Sequence, residues 1–117
     1  KRQLRIWYAA ASTGQEPYSV SMLIREQFPE LLNWQLTQIG TDYSRPALDR
    51  ARAGRYSQVE VNRGLPAKLL VKYFVKQGLE WEISADVRKM VKYDEEGWTA
   101  RRTETLEKIK ELVQETR

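Results

Sequence analysis

Apolar and polar positions along the 117-residue chain change from strand-like to helix-like spacing and back. Residues 4–10 are predicted to form a buried strand, and apolar side chains then recur at helical spacing, at Val20, Leu23, Ile24 and Phe28. A second strand is predicted over 34–39, although its two glutamines make it more polar than a fully buried strand. A short helix follows between Ser44, a good N-cap, and Gly54, a C-terminal stop. This alternation predicts an α/β fold.

Residues 55–90 interrupt the alternation and are predicted to form a small inserted subdomain. Its predicted elements are a helix that opens at Leu65 and Pro66, carries Leu69, Leu70, Tyr73 and Phe74 on one face and ends at Gly78, a half-exposed strand over 79–83, and a short helix over 85–89 capped by Ser84. Residues 90–93 then supply a third core strand. We expect a final helix, over about 103–116, to pack on the sheet through Leu106, Ile109, Leu112 and Val113.

The segment between the first strand and the first helix carries the candidate chemistry. Small residues and a glycine, Gly14, let a ligand approach the backbone close to the unpaired N–H groups of a helix N-terminus. Glu16 lies in the first helical turn, where its carboxylate would repel a diphosphate and attract an ammonium or sulfonium group. The alternative is an ordinary tight turn, in which Glu16 is a favourable partner of the helix dipole.

This segment, Ala9 to Ser19, resembles the first cofactor motif of the CheR-type chemotaxis receptor methyltransferases. Further segments resemble family motifs in the family's order, namely Gly40 to Ser44, Ala51 to Ser57, Arg63 to Pro66, Tyr73 with Phe74, and Val87 to Tyr93. The resemblance covers roughly residues 4–93. It implies S-adenosylmethionine or S-adenosylhomocysteine as the cofactor, methylation of glutamate side chains as the activity, and the cytoplasmic helices of chemoreceptors as partners.

The resemblance also implies a cofactor site made of six residues, Ala10, Ala11, Ser12, Gly14, Glu16 and Asp42. Glu16 would lie near the methionine ammonium, and Asp42, at the end of the second strand, would bind the ribose hydroxyls. The alternative for Asp42 is an Asx cap for the next helix. Neither a catalytic residue nor a metal ligand is assigned. Because a glutamate acceptor is already ionised at neutral pH, with a pKa of about 4.3, the transfer needs alignment rather than a general base.

Composition narrows the possible classes of protein. Twenty basic and 16 acidic residues give a net charge of +4 without a basic run, so no nucleic-acid partner is expected. No apolar stretch approaches the roughly 20 residues of a membrane span, and no signal peptide is visible. The absence of cysteine and histidine excludes disulfides, thiolate chemistry, histidine catalysis and the usual zinc sites. We expect one cytoplasmic domain over 1–117.

Two features depart from the family pattern. Tyr8 stands at the end of the first strand where the family has a small residue, and we expect its phenol to fill space that the cofactor would use. The family's Asn-Leu motif, its remaining strands and its N-terminal helical domain do not appear, and the final helix looks foreign. We therefore expect a truncated or chimeric chain that binds the cofactor weakly and does not catalyse the transfer alone. A non-catalytic engineered or chimeric structural domain is the alternative function.

The predicted fold is a half-Rossmann sheet of three parallel strands with helices and the small inserted subdomain. The family's strand order would leave the first strand at an edge of this incomplete sheet. That edge is apolar, and an apolar unpaired edge is a template for pairing with another chain. We therefore predict a homodimer through the first strand. The competing outcome is that the final helix covers the sheet and keeps the chain monomeric.

Overall fold

Two small sheets and the helices around them make up residues 2–94, the part of the chain that this computed structural model describes. The elements are β1 (Gln3–Tyr8), α1 (Gln15–Gln27), a 3-10 helix (Pro29–Asn33), β2 (Gln35–Gly40), α2 (Arg45–Ala53), β3 (Arg55–Ser57), α3 (Gln58–Asn62), α4 (Ala67–Tyr73), β4 (Phe74–Gln77), β5 (Glu80–Ile83), α5 (Ala85–Arg88) and β6 (Lys92–Tyr93). The predicted α/β class is confirmed. The predicted final helix over 103–116 lies outside the described residues.

The first sheet is parallel and has the order β1-β2-β6, which confirms the predicted three parallel strands. Among residues 2–94, β1 pairs with β2 and lies at an edge. β6 is shorter than the predicted 90–93, because the amides of Met90 and Val91 still bond to the carbonyls of Val87 and Arg88 at the end of α5. α2 has the predicted caps: Ser44 Oγ accepts from the Ala47 amide at 3.2 Å, and Gly54 is left-handed.

The inserted subdomain contains an antiparallel sheet of order β3-β5-β4. The predicted helix from 65 to 78 is wrong in its second half, because α4 ends at Tyr73 and Phe74 begins β4. Gly78 does not end a helix; its φ of +63° lies in the turn that joins β4 to β5. Pairing with β5 buries Phe74 beside Ile83, and this tertiary contact overrides the helical spacing of the segment. The predicted strand over 79–83 and the Ser84-capped helix are confirmed as β5 and α5.

The glutamine in the middle of β2 is buried with its hydrogen bonds satisfied. Gln38 is 2% exposed; its Oε1 accepts from the Tyr8 phenol at 2.6 Å and its Nε2 donates to Ser21 Oγ at 2.8 Å. Ser21 in turn donates to the Pro17 carbonyl at 2.8 Å. This chain of bonds joins both strands to α1, which explains why a core strand tolerates an amide side chain.

Candidate cofactor site

The loop between β1 and α1 is tied to the end of β2 by backbone hydrogen bonds. The Thr41 amide donates to the Tyr8 carbonyl, and the Ala11 amide donates to the Thr41 carbonyl, both at 2.9 Å. The Gly14 amide then closes the turn onto the Ala11 carbonyl at 3.0 Å. The loop therefore lies at the carboxyl end of the parallel strands, which is where open α/β sheets bind ligands.

Asp42 bonds to this loop through one carboxylate oxygen and to the N-cap of α2 through the other. Its Oδ2 accepts from the Ser12 amide and its Oδ1 from the Ser44 amide, each at 2.9 Å. The Ser44 bond is the Asx contact that was the alternative role for Asp42. A carboxylate offers about four acceptor sites, so two remain for other donors. The ribose role of Asp42 stays a prediction.

Gly14 and Ala11 lie inside the protein rather than on the loop surface. A Cβ on Gly14 would stand 2.8 Å from Tyr93 Oη and 2.9 Å from the Ala51 Cβ. Ala11 is 5% exposed, and its Cβ would be 3.0 Å from a Cβ on Gly40. Their small size lets the loop and α1 approach the neighbouring strands and α2, which is a packing role. A direct cofactor contact by either residue stays a prediction.

Three of the predicted site residues, Ala10, Ser12 and Glu16, are exposed on the loop and the first turn of α1. Gly14 is the N-cap of α1 and brings no side-chain acceptor to the first turn. Because Glu16 lies in the first turn of α1, its carboxylate lies at the positive end of the helix dipole. Together with Asp42, these residues form a surface with two carboxylates and an accessible backbone, which suits a ligand with a cationic group and hydroxyls.

Tyr8 is buried beneath this surface. Its phenol donates to Gln38, and the side chain is 7% exposed. Burial raises the pKa of Tyr8 to about 12, and the charge of Glu16 adds to the shift. The phenol is therefore neutral at physiological pH and remains a hydrogen-bond donor to the core. That it fills space needed by a cofactor stays a prediction.

A cluster of three tyrosines behind the loop was missed by the sequence reasoning. Tyr18 meets the rings of Tyr56 and Tyr93 edge to face, with centroids 6.5 and 5.8 Å away. The Tyr56 phenol donates to the Thr13 carbonyl at 2.7 Å. Burial raises the pKa of all three phenols. The one signal in the sequence was that each tyrosine lies within a segment that resembles the family.

Within residues 2–94 we find no group of three acidic side chains placed to hold a metal ion. In the same part of the chain, no helix has the length and apolar character needed to cross a membrane.

Comparison with known proteins gives a consistent set of relatives. The sequence model of the family described as "CheR methyltransferase, SAM binding domain" matches residues 1–110. The chain is 38% identical over 97 residues to Chemotaxis protein methyltransferase 1 of Pseudomonas aeruginosa, covering 79% of this chain and 35% of that protein. It is 36% identical over 97 residues to Chemotaxis protein methyltransferase 1 of Vibrio cholerae, covering 80% and 35%. It is 32% identical over 91 residues to the Chemotaxis protein methyltransferase of Borreliella burgdorferi, covering 76% and 32%.

The parallel sheet and the loop at its carboxyl end place the chain among the Rossmann-like α/β proteins. Within that class, the chain belongs to the CheR methyltransferase family, SAM binding domain. It spans about a third of the length of the curated relatives it matches. The matched range also runs past Tyr93, where the quoted motifs end, so part of the segment that we expected to be foreign lies within it.

Proposed function

We propose that the β1–α1 loop of this chain binds S-adenosylmethionine or S-adenosylhomocysteine. Glu16 faces the methionine ammonium, Asp42 faces the ribose hydroxyls, and Ala10 and Ser12 line the surface between them. The observation that carries the proposal is the exposed Glu16 carboxylate beside a loop that Asp42 holds through the Ser12 amide at 2.9 Å. Opposite charge at a partly exposed site favours a cationic ligand.

The whole protein to which this domain belongs is proposed to methylate glutamate side chains of chemoreceptors in the cytoplasm. The support is the family and the relatives' names as chemotaxis methyltransferases. The cofactor supplies a methyl group activated by its sulfonium, and the protein must align that group with an ionised carboxylate. Since this chain spans 35% of its first relatives, we expect no turnover by the chain alone.

Basic residues of the subdomain are the proposed contacts for an acidic receptor helix, at Lys68, Lys72, Lys76, Arg88 and Lys89. Lys72 already pairs with Glu26 at 2.6 Å and Lys89 with Asp86 at 3.4 Å. The Lys76 ammonium lies 6.0 Å from the centre of the Trp81 ring. Solvated and internally paired charge remains the alternative for this group.

Titration of the purified chain with S-adenosylhomocysteine in a calorimeter tests the proposal. We expect weak binding, because the missing Asn-Leu motif removes polar contacts worth about 1.5–3 kcal/mol each when a charged group is involved. We also expect no transfer from labelled S-adenosylmethionine to a chemoreceptor fragment. An affinity equal to that of an intact enzyme of the family, or measurable turnover, would contradict these expectations. Complete absence of binding would instead favour the second candidate, a non-catalytic structural or chimeric domain.

We further propose that two copies of the chain pair through β1, since β1 is an edge strand among the described residues. Light scattering at tens of micromolar should give twice the mass of the chain. Because the chain has no cysteine, Arg5→Cys, an exposed change near the middle of β1, should form a disulfide-linked dimer under mild oxidation. Lys76→Cys, an exposed change in β4, is the control and should not crosslink. A monomeric mass would rule the dimer out.

A further inference from the structure

Tyr56 of the inserted subdomain contacts the β1–α1 loop, the proposed cofactor loop. This residue lies in β3 and is 2% exposed. Its phenol donates to the Thr13 carbonyl at 2.7 Å, and its Oη would be 3.2 Å from a Cβ on Gly14. The contact therefore joins the antiparallel sheet directly to the loop that follows β1.

The loop segment that Tyr56 contacts has an unusual backbone. Ser12 has a φ of +52° and Gly14 a φ of +89°, so Thr13 lies between two left-handed residues. The left-handed conformation costs an L-residue roughly 1–2 kcal/mol, and it persists only where the surroundings fix it. Three hydrogen bonds hold this segment: the Ser12 amide donates to Asp42, the Thr13 carbonyl accepts from Tyr56, and the Gly14 amide donates to Ala11.

A second contact links the same subdomain to the start of α1. Gln15 Nε2 donates to Glu60 Oε2 at 3.4 Å. Glu60 is itself fixed, because its Oε1 accepts from the Ser57 amide at 2.8 Å and from the Arg50 guanidinium at 2.5 Å. The subdomain thus presents a prearranged pair of side chains, Tyr56 and Glu60, to the loop and to the first residue of α1.

The far end of α1 has a separate anchor to the subdomain. Glu26 accepts from Lys72 Nζ at 2.6 Å and from the Tyr73 phenol at 2.7 Å. Between the two anchors, a cavity of about 80 Å³ separates α1 from the subdomain, lined in part by Met22, Val61 and Leu65. Buried apolar side chains of α1 and of the subdomain also belong to one core, so the polar contacts at either end add to apolar packing in positioning the subdomain against α1.

We propose that Tyr56 is a positioning residue for the cofactor loop: by holding the Thr13 carbonyl, it keeps Ser12 to Glu16 in the backbone conformation that accepts the cofactor. The inference rests on the proposed function, because it concerns the same loop. Asp42 holds Ser12 from the side of the parallel sheet, and Tyr56 holds Thr13 from the side of the subdomain. A preformed loop binds with less loss of conformational entropy than one that must order on binding.

The test compares Tyr56→Phe with Tyr73→Phe. Each variant removes the phenol oxygen of one buried tyrosine of the subdomain. The oxygen of Tyr56 bonds to the loop before α1, whereas the oxygen of Tyr73 bonds to Glu26, at the other end of α1. Both rings stay in place, so both variants should fold. We expect Tyr56→Phe to weaken S-adenosylhomocysteine binding about 3- to 10-fold, the equivalent of one hydrogen bond, and Tyr73→Phe to leave it unchanged.

Hydrogen–deuterium exchange without cofactor gives the second readout. Peptides that contain residues 12–16 should exchange faster in Tyr56→Phe than in the wild type, and not in Tyr73→Phe. Equal losses of thermal stability without a difference in affinity or loop exchange would assign Tyr56 a merely structural role and overturn the inference. If the wild type does not bind S-adenosylhomocysteine, the proposed function fails first, and the inference fails with it as far as the cofactor is concerned. The exchange data then decide separately whether Tyr56 holds the loop.

Discussion

Gly14→Ala is expected to lower the free energy of unfolding by about 2–5 kcal/mol, the sum of a left-handed backbone and an overpacked core. Gly14 has a φ of +89°, and an added Cβ would stand 2.8 Å from Tyr93 Oη and 2.9 Å from the Ala51 Cβ. The Ala51 methyl cannot rotate away, since it lies on α2 and is fully buried. Urea denaturation of the wild type and of Gly14→Ala at the same pH measures this loss of stability.

Gly78→Ala is the matched control. Gly78 has a φ of +63°, but nothing lies within 4 Å of its added Cβ, so only the backbone cost of about 1–2 kcal/mol should appear. The difference between the two variants therefore isolates the packing of the loop against Tyr93 and Ala51. Equal losses in the two variants would mean that Gly14 serves only its backbone conformation and that the interior contact is unimportant.

The parts of the fold that local sequence signals determine were predicted well. Ser44 and Gly54 bound α2 as expected, because an N-cap hydroxyl and a left-handed glycine act within one helical turn. The parallel strands followed from the strand–helix alternation. The hairpin of β4 and β5 was not predicted, because the strand conformation of Phe74 is determined by pairing with Ile83 and not by its neighbours along the chain. The capping box of Ser57 and Glu60, a local signal for α3, was present in the sequence but was not used.

The same distinction between local sequence signals and tertiary contacts applies to the candidate site. The exposed positions of Ser12 and Glu16 follow from a loop that leads into a helix, which the sequence indicates directly. The burial of Gly14 depends on Tyr93 and Tyr56, which come from distant parts of the chain. A small residue in a glycine-containing loop can face a ligand or face the protein, and only the tertiary contacts distinguish these cases. The sequence could therefore identify the loop but not which of its small residues were needed for packing.

Glu16→Gln is expected to weaken S-adenosylhomocysteine binding about 10- to 100-fold, because a hydrogen bond to a charged group contributes about 1.5–3 kcal/mol. The amide keeps the size of the side chain and removes its charge. Loss of the interaction with the dipole of α1 should cost only about 0.3–1 kcal/mol of stability, so the folded state should survive. Calorimetric titration measures the affinity, and thermal unfolding checks the fold.

Glu30→Gln is the matched control, because Glu30 is also exposed and also lies in the first turn of a helix. It makes the same change in net charge, so a general effect of charge would appear in both variants. A cofactor analogue that lacks the amino group sharpens the test. If Glu16 faces the ammonium, the analogue should bind the wild type and Glu16→Gln equally weakly, because the interaction is already absent. An analogue that still distinguishes the two proteins would show that Glu16 acts on another part of the cofactor, and unchanged binding of S-adenosylhomocysteine to Glu16→Gln would remove Glu16 from the site.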